Sequence, residues 1–334
     1  MTVELSLAEA HDLAVRVLTT AGATRANAGP VADAVVTAQA EGIHSHGVTW
    51  LTTFADHLRN GKVDGKADPQ VTQAALAGLS VDARSGFAHP AIVKGIESLI
   101  PLTRKTGVAA MAVKNSYNCL VVGHHVRRIA EAGLVALGFV NSPKSIAPWG
   151  GIKAVFGTNP LAFACPRKEG VPLVIDQSSS KVARSEIRLA QQEGREIPLG
   201  WALDTEGKPT TNAAAAMAGT VLPYGDYKGY GIALMVDLMA GAMTGARLSH
   251  QADSFVGDDG GPPGTGQFFL AIDPGPLGGG DFTQRVDGLC GLILDEPGVQ
   301  LPGDKRLANL RKTGEGPLSI SKTLFDDLRG RAEG

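Results

Sequence analysis

The sequence predicts an α/β protein that begins with a bundle of helices, and two patterns support this fold class. Apolar residues recur at helical spacing through residues 1–61, and each helical run stops at a glycine. Beyond Val108 the pattern changes, because short apolar runs at 108–113 and 135–140 flank a helical pattern at 123–132. A strand, a helix and a strand at this spacing are typical of a βαβ unit with a buried parallel pair of strands. With 334 residues and 43% hydrophobic content, the chain can form one large domain or about two to three lobes.

The helices of the first region have recognisable beginnings and ends. Ser6 and Glu9 form a capping-box pattern that starts the first helix, which ends at Gly22. The second and third helical runs end at Gly42 and Gly61, and glycine suits the left-handed conformation that often follows a helix. The apolar residues of the three runs are Ala10, Leu13, Ala14, Val17 and Leu18, then Val31, Ala34, Val35 and Ala38, then Leu51, Phe54, Ala55 and Leu58.

Polar residues follow several predicted strands directly. Further apolar runs at 161–164, 173–175 and 268–272 extend the predicted sheet. In open α/β sheets, ligands bind at the carboxyl ends of the strands. We therefore expect one ligand-binding edge, lined by the polar residues that end these runs, which are Asn141-Ser142, Asp176-Gln177-Ser178 and Asp273.

Composition and charge argue against several classes of function. Lys and Arg (31) nearly balance Asp and Glu (33) without a basic cluster, which argues against a nucleic-acid partner. The cysteines Cys119, Cys165 and Cys290 are scattered, as expected in a reducing cytoplasm. The N-terminus shows no signal-peptide pattern. The longest apolar stretch, 229–245, contains Asp237 and is too short to span a bilayer, so we predict a buried helix there and a cytoplasmic protein without a membrane partner.

The segment Ser45-His46-Gly47 lies on a short connection before the third helix and is the first candidate for an active site. Free backbone N–H groups at a helix N-terminus attract a carboxylate or a phosphate. Histidine titrates naturally near neutral pH, so His46 can deliver a proton. The alternative, a His46 that only caps the helix or lies on the surface, stays open on these residues alone. Composition and periodicity by themselves indicate an α/β enzyme with an anionic ligand, but they do not indicate which reaction it catalyses.

Two other motifs suggest functions that the chain does not support. The segment 261–268 resembles a phosphate-binding loop, but Gln267 and Phe268 stand where that motif needs Lys and Ser or Thr. The pairs His44-x-His46 and His124-His125 could ligate a metal, yet adjacent histidines point apart on a helix and no third ligand has a familiar spacing. We predict no metal site, and we expect His125 to be a solvated helical residue.

A series of short motifs extends over nearly the whole chain. They are Ser45-His46-Gly47-Val48, Asn115-Ser116, Asn141-Ser142, Gly157-Thr158-Asn159-Pro160, Asp176-Gln177-Ser178-Ser179-Ser180, Lys228-Gly229 and Pro302-Gly303-Asp304. In this order and spacing they resemble the type-2 malate/L-lactate/sulfolactate dehydrogenases. The resemblance implies a non-Rossmann α/β fold with an N-terminal helical bundle and a central mixed sheet, in agreement with the lack of a G-x-G-x-x-G fingerprint. It also implies a homodimer that moves hydride between NAD(P)H and a 2-oxo or 2-imino acid.

Some stretches point to one group within that family. They are Gly86-Phe87-Ala88-His89-Pro90, the run from Asp176 to Arg184, and the run from Glu196 to Ala202. These are most similar to the Δ1-piperideine-2-carboxylate/Δ1-pyrroline-2-carboxylate reductases, which reduce cyclic imines to L-pipecolate and L-proline and usually prefer NADPH. The resemblance therefore implies an NAD(P)H-dependent reductase of a cyclic 2-imino acid. Two alternatives stay open, namely an NAD-dependent malate/lactate-type 2-hydroxyacid dehydrogenase and an inactive relative that binds a nucleotide.

Two positions depart from the family pattern. Family members typically carry Arg, which pairs with the substrate carboxylate, where this chain has Trp50, and losing a bidentate contact changes how a substrate is anchored. Asn118 stands where a His often serves as acid or base, and His124 could compensate. A cyclic imine can enter already protonated, so a site that lacks one candidate acid favours imine over ketone reduction. Trp50 is expected either to form an aromatic wall for the substrate or to pack in the core.

These considerations assign roles to individual residues. His46 is the proton donor or substrate-orienting group, and Asp176 is expected to bond an imidazole or stabilise an iminium and to raise the pKa of His46. Ser45, with the N–H groups after Gly47, is expected to hold the substrate carboxylate. Substrate contacts are predicted for Gly47, Trp50 and Asn118. By resemblance, the pocket for NADPH or NADH includes His124, Asn141, Ser142, Asn159, Ser178, Ser180, Lys228, Gly303, Asp304 and Lys305.

The predicted regions divide the chain into three parts. Residues 1–65 form the helical region, which is joined by a C-terminal segment, 315–334, with a helix from Ser321 to about Leu328. Residues 66–107 form a connecting α/β region. Residues 108–314 form the cofactor-binding α/β domain.

Overall fold

The structure is a computed structural model that describes residues 1–314 and 317–334. Two residues of the predicted C-terminal segment, 315 and 316, lie outside the described residues. The helices are α1 Leu7–Thr20, α2 Arg25–Ala40, α3 Trp50–Arg59, α4 Ala88–Thr106, α5 Val122–Glu131, α6 Arg184–Gln192, α7 Ala213–Ala218, α8 Tyr227–Asp237, α9 Pro274–Gly278, α10 Phe282–Leu294, α11 Asp304–Gly314 and α12 Lys322–Glu333. The strands are β1 Thr2–Leu5, β2 Gln70–Ala75, β3 Gly78–Asp82, β4 Val108–Ser116, β5 Val135–Val140, β6 Leu161–Cys165, β7 Leu173–Gln177, β8 Ala202–Leu203, β9 Pro209–Thr210, β10 Thr220–Val221, β11 Thr265–Ile272 and β12 Leu318–Ser321.

The N-terminal bundle consists of α1, α2 and α3, as the apolar spacing predicts. The Ser6 hydroxyl accepts from the Glu9 N–H, and the Glu9 carboxylate accepts from the Ser6 N–H, so the predicted capping box is present. Gly42 and Gly61 follow α2 and α3 with φ angles of 78° and 81°. An antiparallel pair of strands, β1 and β12, was not predicted, and it ties the C-terminal end of the chain to the bundle. Side chains of β12 and α12 share the buried core of the bundle.

A seven-stranded mixed sheet lies at the centre of the fold, in the order β2-β3-β4-β11-β5-β6-β7. Only β3 and β4 pair in parallel, and every other pair in this sheet is antiparallel. The predicted parallel pairing of β4 with β5 is wrong. These two strands run in the same direction, but β11 lies between them and pairs with both. The strand that separates them comes more than a hundred residues later in the sequence, so local spacing carries no sign of it.

The directions of the strands decide which polar residues meet at one edge of the sheet. Strands β5 and β7 both end at the same edge, which brings Asn141 and Ser178 to that side. Strand β11 runs the opposite way, so Asp273 at its end lies at the far edge, where its carboxylate accepts from Arg104 Nη1 at 2.8 Å. The expectation that Asp273 lines the ligand-binding edge is therefore wrong.

A small lobe, residues 182–221, lies between β7 and α8 in the chain. Its strands form a separate three-stranded sheet, in the order β10-β8-β9. Helices α6 and α7 pack with this sheet around their own apolar core, whose buried members include Ile187, Ala202 and Val221. Strands β2 and β3 were also missed by the sequence, because the segment that holds them reads as polar and is punctuated by Pro and Gly.

The apolar stretch 229–245 forms most of α8 and a following turn of π-helix, Leu238–Ala242. It is less buried than predicted, since Leu234, Met235 and Leu238 are 36%, 37% and 52% exposed. Over residues 1–314 and 317–334, no helix is both long and apolar enough to cross a membrane.

Candidate active site

His46 lies on a single turn of 3-10 helix, His44–His46, in the connection from α2 to α3. The position before the third helix is the one that the sequence predicts. Gln39 Nε2 bonds His44 Nδ1 at 2.9 Å, and Ser45 Oγ bonds His46 Nδ1 at 3.1 Å. Within the part of the chain that the structure describes, Nε2 of His46 makes no hydrogen bond. This nitrogen of the half-buried ring is the one available to a ligand.

Gly47 and Trp50 take part in packing the turn. A Cβ on Gly47 would lie 2.2 Å from Gln39 Oε1, so no larger residue fits without movement. Trp50 Nε1 donates to the carbonyl of Ser45 at 2.8 Å, and the indole ring packs on Phe54 with centroids 5.5 Å apart. These contacts support the second of the two expectations for Trp50, namely that its side chain packs in the core. Substrate contact by Gly47 stays a prediction that its burial does not favour.

Asp176 lies near the end of β7 and receives donors from two other elements. Gly123 N–H, in the first turn of α5, donates to Oδ2 at 3.1 Å, and Arg306 Nη1 from α11 donates to the same oxygen at 3.2 Å. A Cβ on Gly123 would lie 3.0 Å from that oxygen, so the glycine allows the helix N-terminus to come close. The Asp176 side chain is 10% exposed. It is a fixed negative charge at the rim of the sheet.

The pKa of His46 is lowered from its ordinary value of 6.5. Burial is the largest cause, and Asp176 opposes it by favouring the charged ring. Arg306 and His124 lie close enough to His46 to lower its pKa further. Asp176 raises the pKa of His46, as predicted, but burial outweighs this influence. His46 is therefore a neutral imidazole near neutral pH.

Glu41 organises a second set of charges beside this pair. Its carboxylate binds His124 Nε2 at 2.9 Å and Arg127 Nη1 at 2.7 Å. These partners outweigh burial and lower the pKa of Glu41 to about 2. Nε2 of His124 is thus engaged by a carboxylate, and His124 lines the cavity described below; that it compensates for Asn118 stays a prediction. Asn118 itself accepts from the Leu120 N–H at 2.9 Å and shapes its own loop.

A cavity of about 300 Å³ opens between β7, the N-terminus of α5 and the N-terminus of α11. Polar and charged groups face the cavity from all three elements. The predicted cofactor residue Gly303 lines it as well, whereas Asp304 and Lys305 do not. Asp304 instead accepts from the Leu301 N–H at 2.8 Å. The lining consists of Glu41, Gly123, His124, Arg127, Pro172, Val174, Ile175, Asp176, Gln177, Pro302, Gly303, Arg306 and Leu307.

The predicted cofactor residues Asn141 and Asn159 are buried and fully engaged inside the protein. Asn141 donates to the Arg247 carbonyl at 2.7 Å and accepts from the Gly266 N–H at 2.9 Å. Asn159 donates to the Ala233 carbonyl at 2.9 Å and accepts from the Ser142 N–H at 3.2 Å. Their amides hold the ends of the strands in place, so we expect them to shape a cofactor pocket without direct side-chain contact.

Hydroxyl groups cluster on the same side of the fold. Ser142 Oγ bonds Thr158 Oγ1 at 3.2 Å, and Ser178 Oγ bonds Ser180 Oγ. Three further hydroxyls, from Ser145, Ser185 and Thr220, are buried without a hydrogen-bond partner among the described residues. Buried polar atoms are normally satisfied, so such groups indicate a missing ligand or water. The remaining predicted cofactor residues, Lys228 and Lys305, are exposed.

A group of cations in and beside the small lobe lacks acidic partners. Across the described residues, no carboxylate lies within 4.0 Å of the charged nitrogens of Lys181, Arg184 or Arg188. Arg184 donates to the Met217 carbonyl at 2.9 Å, and burial together with the charge of Arg188 lowers its pKa. Arg184 and Arg188, which lie close enough for one charge to affect the other, suit a ligand phosphate. These cations and the unpartnered hydroxyls are compatible with a dinucleotide.

His89 and His125 form a second, fully internal pair of imidazoles. His125 Nε2 bonds the carbonyl of Cys119 at 3.1 Å, and its ring centroid lies 5.7 Å from that of His89. Burial lowers the pKa of His125 to about 4. The expectation that His125 is a solvated residue is wrong, because it lies on the face of α5 that packs against the sheet. Over the described ranges, no three His, Cys, Asp or Glu side chains are grouped as metal ligands.

Acidification is expected to destabilise the protein through His125. Its pKa lies below the ordinary 6.5, so the unfolded chain binds more protons than the folded protein, and stability falls as the pH drops from 6.5 through about 4. The full shift corresponds to about 3 kcal/mol of unfolding free energy. Urea unfolding of the wild type and of His125→Asn, at several pH values in this range, measures it, and the variant should lose about that much less stability. Equal losses in both proteins would contradict the prediction, and His11→Ala, at an exposed histidine, is the control.

Three charged residues of the site were not among the predicted residues, namely Arg306, Glu41 and Arg127. Arg306 follows the quoted motif Pro302-Gly303-Asp304 and lies about one helical turn after Gly303, so the same face of the helix carries both to the cavity. That spacing could have revealed it. Glu41 and Arg127 come together only in the folded chain, so no local pattern indicates their pairing.

A carboxylate, Asp176, and a guanidinium, Arg306, line one cavity on a mixed-sheet α/β fold, and both lie close enough to His46 to affect its charge, although His46 is not among the lining residues. The model of the malate/L-lactate dehydrogenase family matches residues 5–329. The chain is 43% identical over 328 residues to the (2R)-3-sulfolactate dehydrogenase (NADP(+)) of Chromohalobacter salexigens, with 98% of each chain covered. It is 37% identical over 330 residues to a Δ1-pyrroline-2-carboxylate reductase of Ancylobacter novellus, covering 98% of this chain and 97% of that one.

A solved structure gives the same result. The crystal structure of Δ1-piperideine-2-carboxylate reductase from Pseudomonas syringae pv. tomato matches with a TM-score of 0.94 at 34% identity, over 98% of this chain and 99% of that one. The chain therefore belongs to the malate/L-lactate dehydrogenase family and is an oxidoreductase. The predicted family and the predicted non-Rossmann α/β fold are confirmed.

Proposed function

We propose that this protein reduces a cyclic 2-imino acid, of the piperideine-2-carboxylate or pyrroline-2-carboxylate type, to the L-amino acid. The observation that carries the proposal is the carboxylate of Asp176, which lines the cavity and can face an iminium cation, and burial also lowers the pKa of His46. Ketone reduction needs a proton for the developing alkoxide, and a neutral imidazole is a weak acid. A protonated cyclic imine brings its own proton. The relatives that are named pyrroline-2-carboxylate and piperideine-2-carboxylate reductases support this choice.

The residues around the cavity have distinct roles in this reaction. When bound, a nicotinamide cofactor supplies the hydride. The hydride adds to the carbon of the C=N⁺ bond, and the electron pair of that bond moves to nitrogen, which gives the amine without a proton from the protein. Asp176 places a negative charge opposite the iminium cation. His46 Nε2 orients the substrate, while Ser45 Oγ holds the other ring nitrogen at 3.1 Å.

NADPH is the cofactor that we propose. Lys181, Arg184 and Arg188, which lack carboxylate partners among the described residues, suit an additional phosphate better than a free ribose hydroxyl. The unpartnered hydroxyls of Ser145 and Thr220 add hydrogen-bonding groups near the same lobe. The sulfolactate dehydrogenase relative carries NADP(+) in its name.

A second candidate is a 2-hydroxyacid dehydrogenase of the sulfolactate type. The relative with 43% identity carries that name, and a neutral His46 can accept the hydroxyl proton when a hydroxyacid is oxidised. This reading differs from the first in the substrate and in the preferred direction of the reaction. It needs the same imidazole as a base.

A substrate panel separates the candidates. Purified protein is mixed with NADPH or NADH and with piperideine-2-carboxylate, pyrroline-2-carboxylate, pyruvate, oxaloacetate or 3-sulfopyruvate, and cofactor absorbance is followed. We expect consumption with the cyclic imines and faster consumption of NADPH than of NADH. Turnover with the oxoacids alone would contradict the imine proposal and select the dehydrogenase. Cofactor binding without turnover on any substrate would indicate an inactive relative.

We also propose that the protein is a cytoplasmic homodimer, as the sequence predicts. Apolar side chains of α10, Leu289 and Leu292, are 61% and 72% exposed, and apolar residues of α8 are exposed as well. Burying such surface against a second copy is favourable. Light scattering that gives the mass of one 34.5 kDa chain would contradict the dimer. The free, buried cysteines agree with a reducing compartment.

A further inference from the structure

We propose that Trp50 is a positioning residue, whose indole N–H group fixes the peptide that carries His46. The inference rests on the proposed function in one respect, namely that His46 contacts the substrate. It gives the side chain at position 50 a role in the geometry of the turn His44–His46 and no direct contact with the substrate.

The place of Trp50 at the start of α3 brings its side chain over this turn. Trp50 is the first residue of the helix, and the turn His44–His46 comes shortly before it in the chain. Side chains of a helix point back toward its N-terminus, so the first helical residue covers the segment that precedes the helix. Trp50 Nε1 donates to the Ser45 carbonyl at 2.8 Å. Indole has a single N–H donor, and this bond uses it.

The carbonyl that accepts this bond belongs to the peptide group that joins Ser45 to His46. The N–H of the same peptide group, on His46, donates to the Ile43 carbonyl at 2.9 Å. Because a peptide group is planar, hydrogen bonds to both of its polar atoms hold the plane from which the His46 side chain extends. The bond from Ser45 Oγ to Nδ1 at 3.1 Å then sets the ring itself. Nε2 of His46 is thereby held in one direction.

The indole ring takes its own position from the core of the N-terminal bundle. Its centroid lies 5.5 Å from that of Phe54, which is 0% exposed. The Phe54 ring in turn packs edge-on against Phe87 and Tyr117, with centroids 5.4 and 5.6 Å apart. A side chain that packs on a dense core has few alternative rotamers, so its donor stays in one place. Trp50 therefore connects the rigid aromatic core to the peptide beside His46.

A second side chain supports the turn from the side of α2. Gln39 Nε2 bonds His44 Nδ1 at 2.9 Å, and Gln39 Oε1 fills the space that a Cβ on Gly47 would need. Gln39 thus acts on the first residue of the turn and on the glycine after it, whereas Trp50 acts on the peptide next to His46. The orientation of His46 is therefore expected to depend on Trp50 more directly than on Gln39.

The test combines Trp50→Phe with His46→Ala in a double-mutant cycle. Trp50→Phe keeps an aromatic ring beside Phe54 and removes the N–H donor. We expect it to lower kcat for piperideine-2-carboxylate by about tenfold and to change KM by less than about twofold. In the His46→Ala protein the same change should lower kcat no further, because Trp50 acts through His46. Trp149→Phe, at a tryptophan that is 52% exposed, is the matched control and should have wild-type kcat.

A second readout does not depend on turnover. An NMR titration gives the pKa of His46, which burial lowers from 6.5. Without the indole N–H the turn loosens and water reaches the ring, so in Trp50→Phe the pKa of His46 should rise toward 6.5. Trp149→Phe should leave this pKa unchanged. Melting temperatures check that each variant is folded.

Two outcomes would overturn the proposal. Wild-type kcat together with an unchanged pKa of His46 in Trp50→Phe removes Trp50 from the positioning of that ring. An equal loss of kcat in the His46→Ala protein means that Trp50 acts on the substrate directly. If the wild type reduces only 3-sulfopyruvate, the imine proposal fails, while the same cycle made with 3-sulfopyruvate decides the role of Trp50. If the wild type turns over no substrate, the NMR titration decides it, and an unchanged pKa in Trp50→Phe overturns the proposal.

Discussion

Replacing His46 with alanine is expected to lower kcat by about 10²-fold or more, because the substrate loses the group that orients it. Nε2 of His46 makes no hydrogen bond to the described residues, whereas Nε2 of His124 is held by Glu41 and position 118 is an asparagine. The measurement is steady-state reduction of piperideine-2-carboxylate with NADPH at saturation.

Two controls accompany this variant. His46→Gln keeps a polar group of similar reach, so it should lose less activity than His46→Ala if orientation is the role of the ring. His11→Ala, at an exposed histidine paired with Asp33, should have wild-type kcat. Near-normal turnover of His46→Ala would remove His46 from the mechanism.

Replacing Asp176 with asparagine is expected to lower kcat by about 10²- to 10³-fold. The change removes the negative charge opposite the iminium and frees Arg306 from its 3.2 Å contact. It also removes the one influence that raises the pKa of His46, so the His46 pKa should fall further. The pH profile of kcat/KM reports both effects.

A matched control for this loss of an ion pair lies at the far edge of the sheet. Asp273 is 11% exposed, close to the 10% of Asp176, and it likewise binds an arginine, Arg104, at 2.8 Å. Asp273→Asn should leave kcat unchanged even if it lowers stability. Equal losses of activity in the two variants would mean that Asp176 acts through the fold and not through the site.

Local sequence patterns were sufficient to predict those parts of the fold that are determined by residues close together in the sequence. The capping box at Ser6, the glycines at 42 and 61 and the turn at His46 are all set by contacts within about five residues. The division of the chain into three regions stays a prediction.

The pairing of strands that are far apart in the sequence could not be predicted in this way. Strand β11 lies between β4 and β5 and forms backbone hydrogen bonds with both. Nothing in the sequence of β4 or β5 indicates that β11 is their partner. Strands β2 and β3 lie at an edge of the sheet, and β2 is mostly exposed, so neither shows a continuous apolar run. Register and strand order are properties of the assembled sheet.

The sequence predicted several residues of the site, but it did not predict how the charges around them balance. Asp176 and His124 line the same cavity, and both affect the charge of His46. The influence of Asp176 on the pKa of His46 was predicted with the correct sign. The larger, opposite effect of burial and the charge of Arg306 were not, because they arise only when separate segments of the chain meet.

A titration of His46 by NMR, with ¹³C-labelled histidine and His46→Gln for assignment, is the most direct test. We expect a pKa below 6.5 in the protein without substrate, and a rise when Arg306 is replaced by methionine. A pKa above 6.5 in the wild type would mean that the ring is a charged acid near neutral pH, and it would contradict both the neutral imidazole and the preference for an imine that follows from it.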